Sequence, residues 1–234
     1  MKKILFIFTI ILFFGAVTPA LAGTLTCSYD TITTGTRNIT HSGTADWKHW
    51  GDVSGTLVAS NKIVGGRTIS DLASVGTFTS TRYTNDTRLI TWSNGTPTAA
   101  STDDPDGIYT GSGATSGEGY RFTVPADTGV RTLYLYFGGY QDNPNLTVSL
   151  SDASATDYTD TSTGSPTTSF KRNYICNYSA DSGGQTLTIT YVKGSASGGN
   201  VTISAVALRG PRNKFIFKPF KYIFGTSAYK YIFN

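Results

Sequence analysis

The chain has 234 residues, of which 38 are Thr, 23 are Ser and 26 are Gly. An apolar share of 38% and an aromatic share of 13% support a folded core and exclude wholesale disorder. Residues that favour helices are scarce, which excludes a helical bundle or an α/β enzyme with many long helices.

The formal net charge of +4 is unevenly distributed along the chain. Residues 23–210 carry 12 basic and 15 acidic side chains, whereas residues 211–234 carry five basic side chains and no acidic one. The long central part is therefore slightly acidic. Such a charge gives no indication of a nucleic-acid groove, and we predict no nucleic-acid partner.

The first 22 residues have the pattern of a secretory signal peptide. Lys2 and Lys3 precede an apolar run at residues 4–17, and Ala20 and Ala22 fit the small-residue rule for cleavage. The apolar run is shorter than the ~20 residues that a transmembrane helix needs. We therefore expect cleavage after Ala22, bacterial-type export to the cell surface or the medium, and no transmembrane span.

Two cysteines, Cys27 and Cys176, follow this segment. An even number of cysteines in an oxidising compartment predicts one disulfide, and two buried thiols are the alternative. Metal binding is not expected from two isolated cysteines with no neighbouring histidine.

Short runs of alternating apolar and polar residues recur along residues 23–210, separated by Gly, Pro, Asn and Asp. In residues 133–137 both alternating faces are apolar or aromatic, as in a strand at the centre of a sandwich. Ten strands of this kind predict one all-β domain, an antiparallel β-sandwich of jelly-roll type. The predicted strands cover residues 24–29, 44–47, 68–72, 89–92, 120–124, 131–137, 146–150, 174–178, 186–192 and 201–208.

One run is distinctive: residues 43–51 read Gly-Thr-Ala-Asp-Trp-Lys-His-Trp-Gly. If it is extended, Trp47 and His49 face one way, while Asp46 and Trp50 face the other. One Trp could then lie in the core and the other near a surface.

This run resembles the Gly-Thr-x-Asp-Trp-x-His-Trp-Gly run of a carbohydrate-binding-module-like β-sandwich module of secreted bacterial proteins. The resemblance covers residues 37–209 and implies a galactose-binding-like fold that binds sugar and does not cut it. It carries over no ligand residues. Later blocks agree in order, at residues 91–97, 119–127, 146–152, 158–162, 185–189 and 199–203.

Sugar-binding modules stack aromatic rings on pyranose C–H groups and bind hydroxyls with Asp, Asn or His. The candidate ligand-binding residues are Asp46, His49, Trp50, Trp92, Tyr109, Tyr120 and Tyr140. The alternative is structural: Trp47 and Trp92 would belong to the core, and Asp46 would bind backbone groups of a turn.

A short acidic segment is a candidate Ca²⁺ site. Asp103, Asp104 and Asp106 place three carboxylates within four positions, and Ca²⁺ prefers several oxygen ligands from a flexible loop. An exposed acidic turn is the alternative. No cofactor is predicted to be required, and structural Ca²⁺ is the one candidate.

Signatures of catalysis are not found. The sequence has a single glutamate, Glu118, and two histidines, and it contains no His-Glu-x-x-His or Gly-x-Ser-x-Gly motif. We therefore predict that the chain is not an enzyme.

Residues 211–234 form a basic, aromatic C-terminal tail. Lysines among aromatic rings suit adsorption to an anionic surface, and such a segment can also add strands or pair with another subunit. A flexible extension is a further alternative.

Two functions from different classes follow. The first is a secreted, non-catalytic carbohydrate-binding domain, whose partner is a polysaccharide or surface glycan. The second is a structural or adhesive cell-surface subunit that self-associates through its tail. The sequence divides accordingly into a signal peptide (1–22), a β-sandwich domain (23–210) and the tail (211–234).

Overall fold

The computed structural model describes residues 23–52, 57–111, 113–162, 164–194 and 198–211. The predicted signal peptide and residues 212–234 of the predicted tail lie outside the described residues. Among the described residues, seventeen strands form three sheets, and the single helix, α1 (Ile39–Ser42), has four residues. This part of the chain contains no helix that is long and apolar enough to cross a bilayer.

The largest sheet has nine antiparallel strands in the described chain. These are β1 (Thr24–Asp30), β3 (Asp46–Trp50), β4 (Ala59–Lys62), β6 (Ser80–Tyr83), β8 (Gly95–Thr96), β10 (Gly107–Thr110), β12 (Arg131–Asp142), β15 (Ser165–Ser179) and β17 (Asn200–Arg209). Their order is β1-β15-β12-β17-β3-β4-β8, and a branch from β17 continues through β10 to β6.

Two smaller sheets flank the nine-stranded sheet. The five-stranded sheet contains β5 (Ala73–Val75), β11 (Gly119–Ala126), β13 (Asn145–Leu150), β14 (Tyr158–Asp160) and β16 (Gln185–Val192), in the order β14-β13-β16-β11-β5. The three-stranded sheet contains β2 (Arg37–Asn38), β7 (Ile90–Trp92) and β9 (Ser101–Asp104). Only the short β2–β7 pairing is parallel among the described strands.

The main core lies between the nine-stranded and five-stranded sheets. Phe137 of β12 stacks on Tyr191 of β16, with ring centroids 4.7 Å apart, and meets Phe122 of β11 edge to face. All three rings are buried because alternate residues of each strand point to the facing sheet. The prediction of an all-β antiparallel sandwich is confirmed, and its jelly-roll type stays a prediction.

A second, smaller core covers the opposite face of the nine-stranded sheet. It packs against α1 and the three-stranded sheet, and contains Ile39, Trp47, Ile90, Trp92, Tyr136, Ala205 and Ala207. Strand β12 therefore sends Leu133 and Leu135 to the main core and Tyr136 to the second core. This arrangement explains why residues 133–137 carry large apolar or aromatic side chains on both faces.

Strand β17 contains a β-bulge at Ser204. Tyr136 pairs with Ala205 and Phe137 pairs with Ile203, so Ser204 is the extra residue of the ladder. The partner strand along this edge of β17 changes at the same point. Ala205 pairs with β3, whereas Ile203 pairs with β10.

One predicted strand, at residues 68–72, is wrong. The backbone N–H groups of Thr68 and Ile69 donate to the side chain of Asp46, at 2.7 and 2.8 Å, and that of Ser70 donates to Thr123. A carboxylate thus takes the place of a neighbouring strand as the hydrogen-bond partner, and the segment stays irregular.

The predicted disulfide joins Cys27 to Cys176 and is confirmed. The two residues lie directly opposite each other in the antiparallel β1–β15 pair. The bond ties the first described strand, at the edge of the sheet, to its neighbour β15 across a sequence separation of 149 residues. A disulfide is typical of proteins from oxidising compartments, whereas the signal peptide itself remains a prediction.

Replacing both cysteines by serine should lower the free energy of unfolding, because the bond restricts the unfolded chain. The chain-entropy relation gives about 5 kcal/mol as the upper limit for a loop of this length. Urea denaturation of the wild type and of the Cys27→Ser/Cys176→Ser variant measures the difference. Equal midpoints would show that the bond does not stabilise the fold.

Candidate functional site

The distinctive run at residues 43–51 folds mainly as strand β3. Trp47 lies in the second core, against Trp92, and Trp50 lies in the main core, against Phe122. The predicted alternation of side chains is therefore present. Both faces of β3 are buried, however, so neither Trp lies near a surface.

Asp46 is a buried structural residue in this arrangement. Its carboxylate accepts hydrogen bonds from the backbone N–H groups of Trp47, Thr68 and Ile69, at 2.7–2.8 Å. The side chain holds the irregular segment after β4 against β3. The carboxylate has no exposed surface for a sugar hydroxyl.

Three predicted aromatic ligands are also buried, which corrects their assignment as stacking platforms. The indole N–H of Trp50 donates to the Leu57 carbonyl, and that of Trp92 donates to the Thr98 carbonyl, both at 3.1 Å. The Tyr120 hydroxyl shares a 3.0 Å hydrogen bond with Ser80. These rings pack inside the protein and leave no face for a sugar.

His49 is fully buried and stacks on Trp92, with ring centroids 4.4 Å apart. Neither ring nitrogen has a hydrogen-bond partner among the described residues. Nδ1 lies 3.5 Å from Asp52, and Nε2 lies 3.8 Å from Asp104. Burial raises the pKa of Asp52, but the adjacent imidazole of His49 and a hydrogen bond from Ser60 outweigh burial and hold the pKa below its usual value.

The three carboxylates of the predicted Ca²⁺ segment have separate partners. Asp103 accepts a hydrogen bond from Thr36, Asp104 lies beside His49, and Asp106 pairs with Arg82. Burial raises the pKa of Asp106, and the neighbouring charge of Asp104 adds to this effect. Among the described residues, the group close enough to share an ion is His49, Asp52 and Asp104, and it does not include the other two carboxylates.

Tyr109 and Tyr140 are brought together in a surface cavity of about 230 Å³. Tyr109 lies opposite Thr202 in the β10–β17 pair, and Tyr140 lies opposite Asn200 in the β12–β17 pair. Tyr140 is 46% exposed. The described lining consists of Tyr83, Asn85, Tyr109, Gly139, Tyr140, Ser169, Phe170, Lys171, Asn200 and Thr202.

A buried charge cluster adjoins this cavity. Asp86 pairs with Arg88 and with Lys171, each at 2.7 Å, and accepts a 2.7 Å hydrogen bond from Ser204. The Tyr83 hydroxyl donates to the same carboxylate at 3.1 Å. Lys171 and Tyr83 also line the cavity, so the cluster positions two of its side chains.

The cluster fixes the charge states of its members. Burial raises the pKa of Asp86, but the charge of Arg88 and hydrogen bonds from Arg88 and Lys171 outweigh it and hold the pKa well below its usual range. Burial lowers the pKa of Lys171, and Asp86 opposes this effect. Burial also raises the pKa of Tyr83 far above its usual value, so its hydroxyl stays protonated.

Sequence reasoning missed Asp86, Arg88 and Lys171. The available signal was weak. Lys171 lies in the part of β15 that the predicted strand at residues 174–178 did not include. Asp86 follows Asn85, a residue type that is common in turns. Their convergence depends on pairings between distant strands, which no local pattern contains.

The comparisons with known proteins show no family. No family model matches the chain, and no curated protein matches it. A solved structure, the enzymatically active domain of tailspike protein 4 of bacteriophage CBA120, is similar over 61% of this chain, with a TM-score of 0.36 and 16% identity. The match spans a fifth of the length of that chain.

A likeness this weak carries no argument about the function of this chain. The neighbour is nevertheless described as enzymatically active, which is contrary to the prediction that this chain is not an enzyme. We correct that prediction by withdrawing it, and we assign no catalytic residue in its place.

Replacing Asp86 by Asn should destabilise the protein by about 3–5 kcal/mol at pH 7, because the buried Arg88 and the partly buried Lys171 lose their counter-ion. The pKa of Asp86 is lower in the folded state than its value of about 3.9 in unfolded chains. Its contribution to stability is therefore complete above that value and is lost as the pH falls below it.

Urea denaturation at pH 7 and pH 3 measures this effect. The difference between wild type and Asp86→Asn should be smaller at pH 3, and the exposed Asp157→Asn should match wild type at both values. A difference that does not change with pH would contradict the assigned charge state.

Proposed function

We propose that this chain binds carbohydrate in the cavity between Tyr109 and Tyr140. The observation that supports the proposal is the lining of this cavity: aromatic rings stand beside hydroxyl and amide groups in a concave surface. Ligand sites usually combine an aromatic wall with a few polar groups that fix orientation. A sugar ring presents both kinds of surface, since its C–H face is apolar and its edge carries hydroxyls.

The polar groups of the cavity suit hydroxyl recognition. Asn85 and Asn200 supply amide donors and acceptors, and Ser169 and Thr202 supply hydroxyls. The cavity volume of about 230 Å³ is below the ~300–1,000 Å³ typical of sites for drug-sized molecules. We infer a site that takes one sugar unit, with the rest of a glycan outside.

The charges favour an acidic sugar. None of the described lining residues is acidic, and Lys171 supplies a cation. Asp86 is shared between Arg88 and Lys171, so one carboxylate faces two cations. A carboxylate on the ligand would balance the remaining positive charge, which points to a uronic-acid-containing polysaccharide.

The resemblance of residues 37–209 to a secreted, galactose-binding-like module supports the same function. Export and a surface-glycan partner belong to this proposal. The alternative of self-association through residues 211–234 stays a prediction, because residues 212–234 lie outside the described residues.

Truncating the Tyr140 ring should weaken glycan binding. A stacking contact is worth about 0.5–1.5 kcal/mol, so Tyr140→Ala should raise Kd by roughly two- to tenfold. Isothermal titration with oligosaccharides chosen from a glycan array measures the change. Tyr29→Ala is the matched control, since Tyr29 is 40% exposed and does not line the cavity. No retention of wild type on any glycan would overturn the proposed function.

Removing the charge of Lys171 should abolish a preference for acidic sugars. We expect wild type to bind polygalacturonate more tightly than neutral galactan, and Lys171→Gln to bind both equally. Lys171→Arg keeps a cation and should retain the preference. Equal binding of both polymers by wild type would contradict the assigned charge preference while leaving carbohydrate binding itself intact.

A further inference from the structure

We propose that His49, Asp52 and Asp104 form a binding site for a divalent transition-metal ion such as Zn²⁺. The inference is independent of the glycan cavity. It rests on the fully buried imidazole of His49, whose two ring nitrogens have no hydrogen-bond partner among the described residues.

The three side chains come from two separate parts of the fold. His49 lies on β3, Asp52 follows two residues beyond the end of β3, and Asp104 is the last residue of β9. Gly51 allows the turn between the first two, with a φ of 118°. A Cβ at this position would lie 2.7 Å from the Cβ of Asp106, so only glycine brings the end of β3 this close to β10.

The distances suit ligands that share an ion better than they suit hydrogen bonds. His49 Nδ1 lies 3.5 Å from Asp52 Oδ1, and Nε2 lies 3.8 Å from Asp104 Oδ1, whereas good N–H···O bonds are about 2.7–3.2 Å long. Two ligands about 2.0–2.2 Å from a tetrahedral ion stand about 3.4 Å apart, and one ion bonds to only one of the two ring nitrogens. The 3.5 Å separation of Nδ1 from Asp52 Oδ1 matches this spacing. One ligand atom from each residue lies within 4.8 Å of the others.

The carboxylates are held in place by hydrogen bonds from outside the group. Ser60 donates to Asp52 Oδ2, and the Asp106 N–H donates to Asp104 Oδ1 at 2.9 Å. Ser101 donates to Asp104 Oδ2 at 3.2 Å. Such partners orient the ligating groups of metal sites and limit the movement needed to bind an ion.

The charge and the access also suit a divalent cation. Asp52, Asp104 and Asp106 place three carboxylates near the imidazole of His49, and Arg82 pairs with only one of them. The Asp52 and Asp104 side chains keep 9% and 13% of their surface exposed, which gives an ion a route from solvent.

The donor set selects the kind of metal. One imidazole nitrogen with two carboxylates is typical of Zn²⁺ and neighbouring transition metals, and leaves further positions for water. Ca²⁺ takes six to eight oxygen ligands and gains little from a buried imidazole. The proposal therefore replaces the expected Ca²⁺ segment by a different set that shares only Asp104 with it.

Titration of the purified, chelator-treated chain with ZnCl₂ tests the site, in a protein that carries no polyhistidine tag. We expect one Zn²⁺ per chain by calorimetry. Asp52→Asn and Asp104→Asn should each weaken binding at least tenfold, with circular dichroism showing that both variants stay folded. The spectrum of bound Co²⁺ should change in the same two variants.

Two controls separate this site from other zinc-binding groups. His41→Gln removes the other histidine of the chain, and Asp103→Asn removes an exposed carboxylate next to Asp104; both should bind Zn²⁺ as wild type does. The proposal is overturned by equal affinity in all five proteins, by the absence of Zn²⁺ binding, or by Ca²⁺ binding in place of Zn²⁺.

Discussion

The ion pair of Asp86 and Arg88 lies on the face of the nine-stranded sheet opposite the main core, where water is excluded. Burial of two charges is costly unless every donor and acceptor is satisfied. Arg88 meets this condition by donating to the Phe137 carbonyl on β12, to the Arg172 carbonyl and Asn173 on β15, and to Asp86. Hydrogen bonds from this pair thus hold the segment after β6 against the adjacent strands β12 and β15.

The shape of the cavity between Tyr109 and Tyr140 depends on these contacts of Asp86 and Arg88. Asp86 holds the ammonium group of Lys171 and the hydroxyl of Tyr83, and both side chains line the cavity. The polar surface of the cavity is therefore arranged before any ligand arrives. A site arranged in this way loses less conformational entropy on binding.

Both proposed sites lie away from the five-stranded sheet. The main core between the two large sheets supplies the apolar packing, and its residues are unavailable for ligands. Strands β9 and β10 each contribute to one proposed site, since Asp104 of β9 belongs to the proposed metal group and Tyr109 of β10 lines the cavity. Only five positions of sequence thus separate a residue of the proposed metal site from a residue of the proposed sugar site.

Local patterns predicted the parts of the fold that depend on neighbours in sequence. Alternation located strands such as β16, and the paired faces of residues 133–137 indicated a central strand. The even cysteine count predicted the bond between Cys27 and Cys176. These features depend on the periodicity of apolar side chains along a strand and on composition, and both can be read from a single sequence.

The sites depended on contacts that the sequence does not contain. Tyr109 and Tyr140 were named as candidates, but so were Trp50 and Trp92, because an aromatic residue has the same pattern in a core as on a surface. Segment 68–72 was predicted as a strand, yet the hydrogen-bond partner of its first residues is the carboxylate of Asp46. Asp52 was missed because its link to Asp104 is made by folding.

The bulge at Ser204 changes the phase of β17 along its length. On one side of it, Val206 and Leu208 enter the main core; on the other side, Ile203 and Val201 do so. In an unbroken strand of period two, one of these pairs would point the opposite way. The extra residue therefore lets one strand give alanines to the second core and Thr202 and Asn200 to the cavity. If Ser204 were a regular member of the ladder instead, Val201 and Ile203 would replace the polar wall of the cavity.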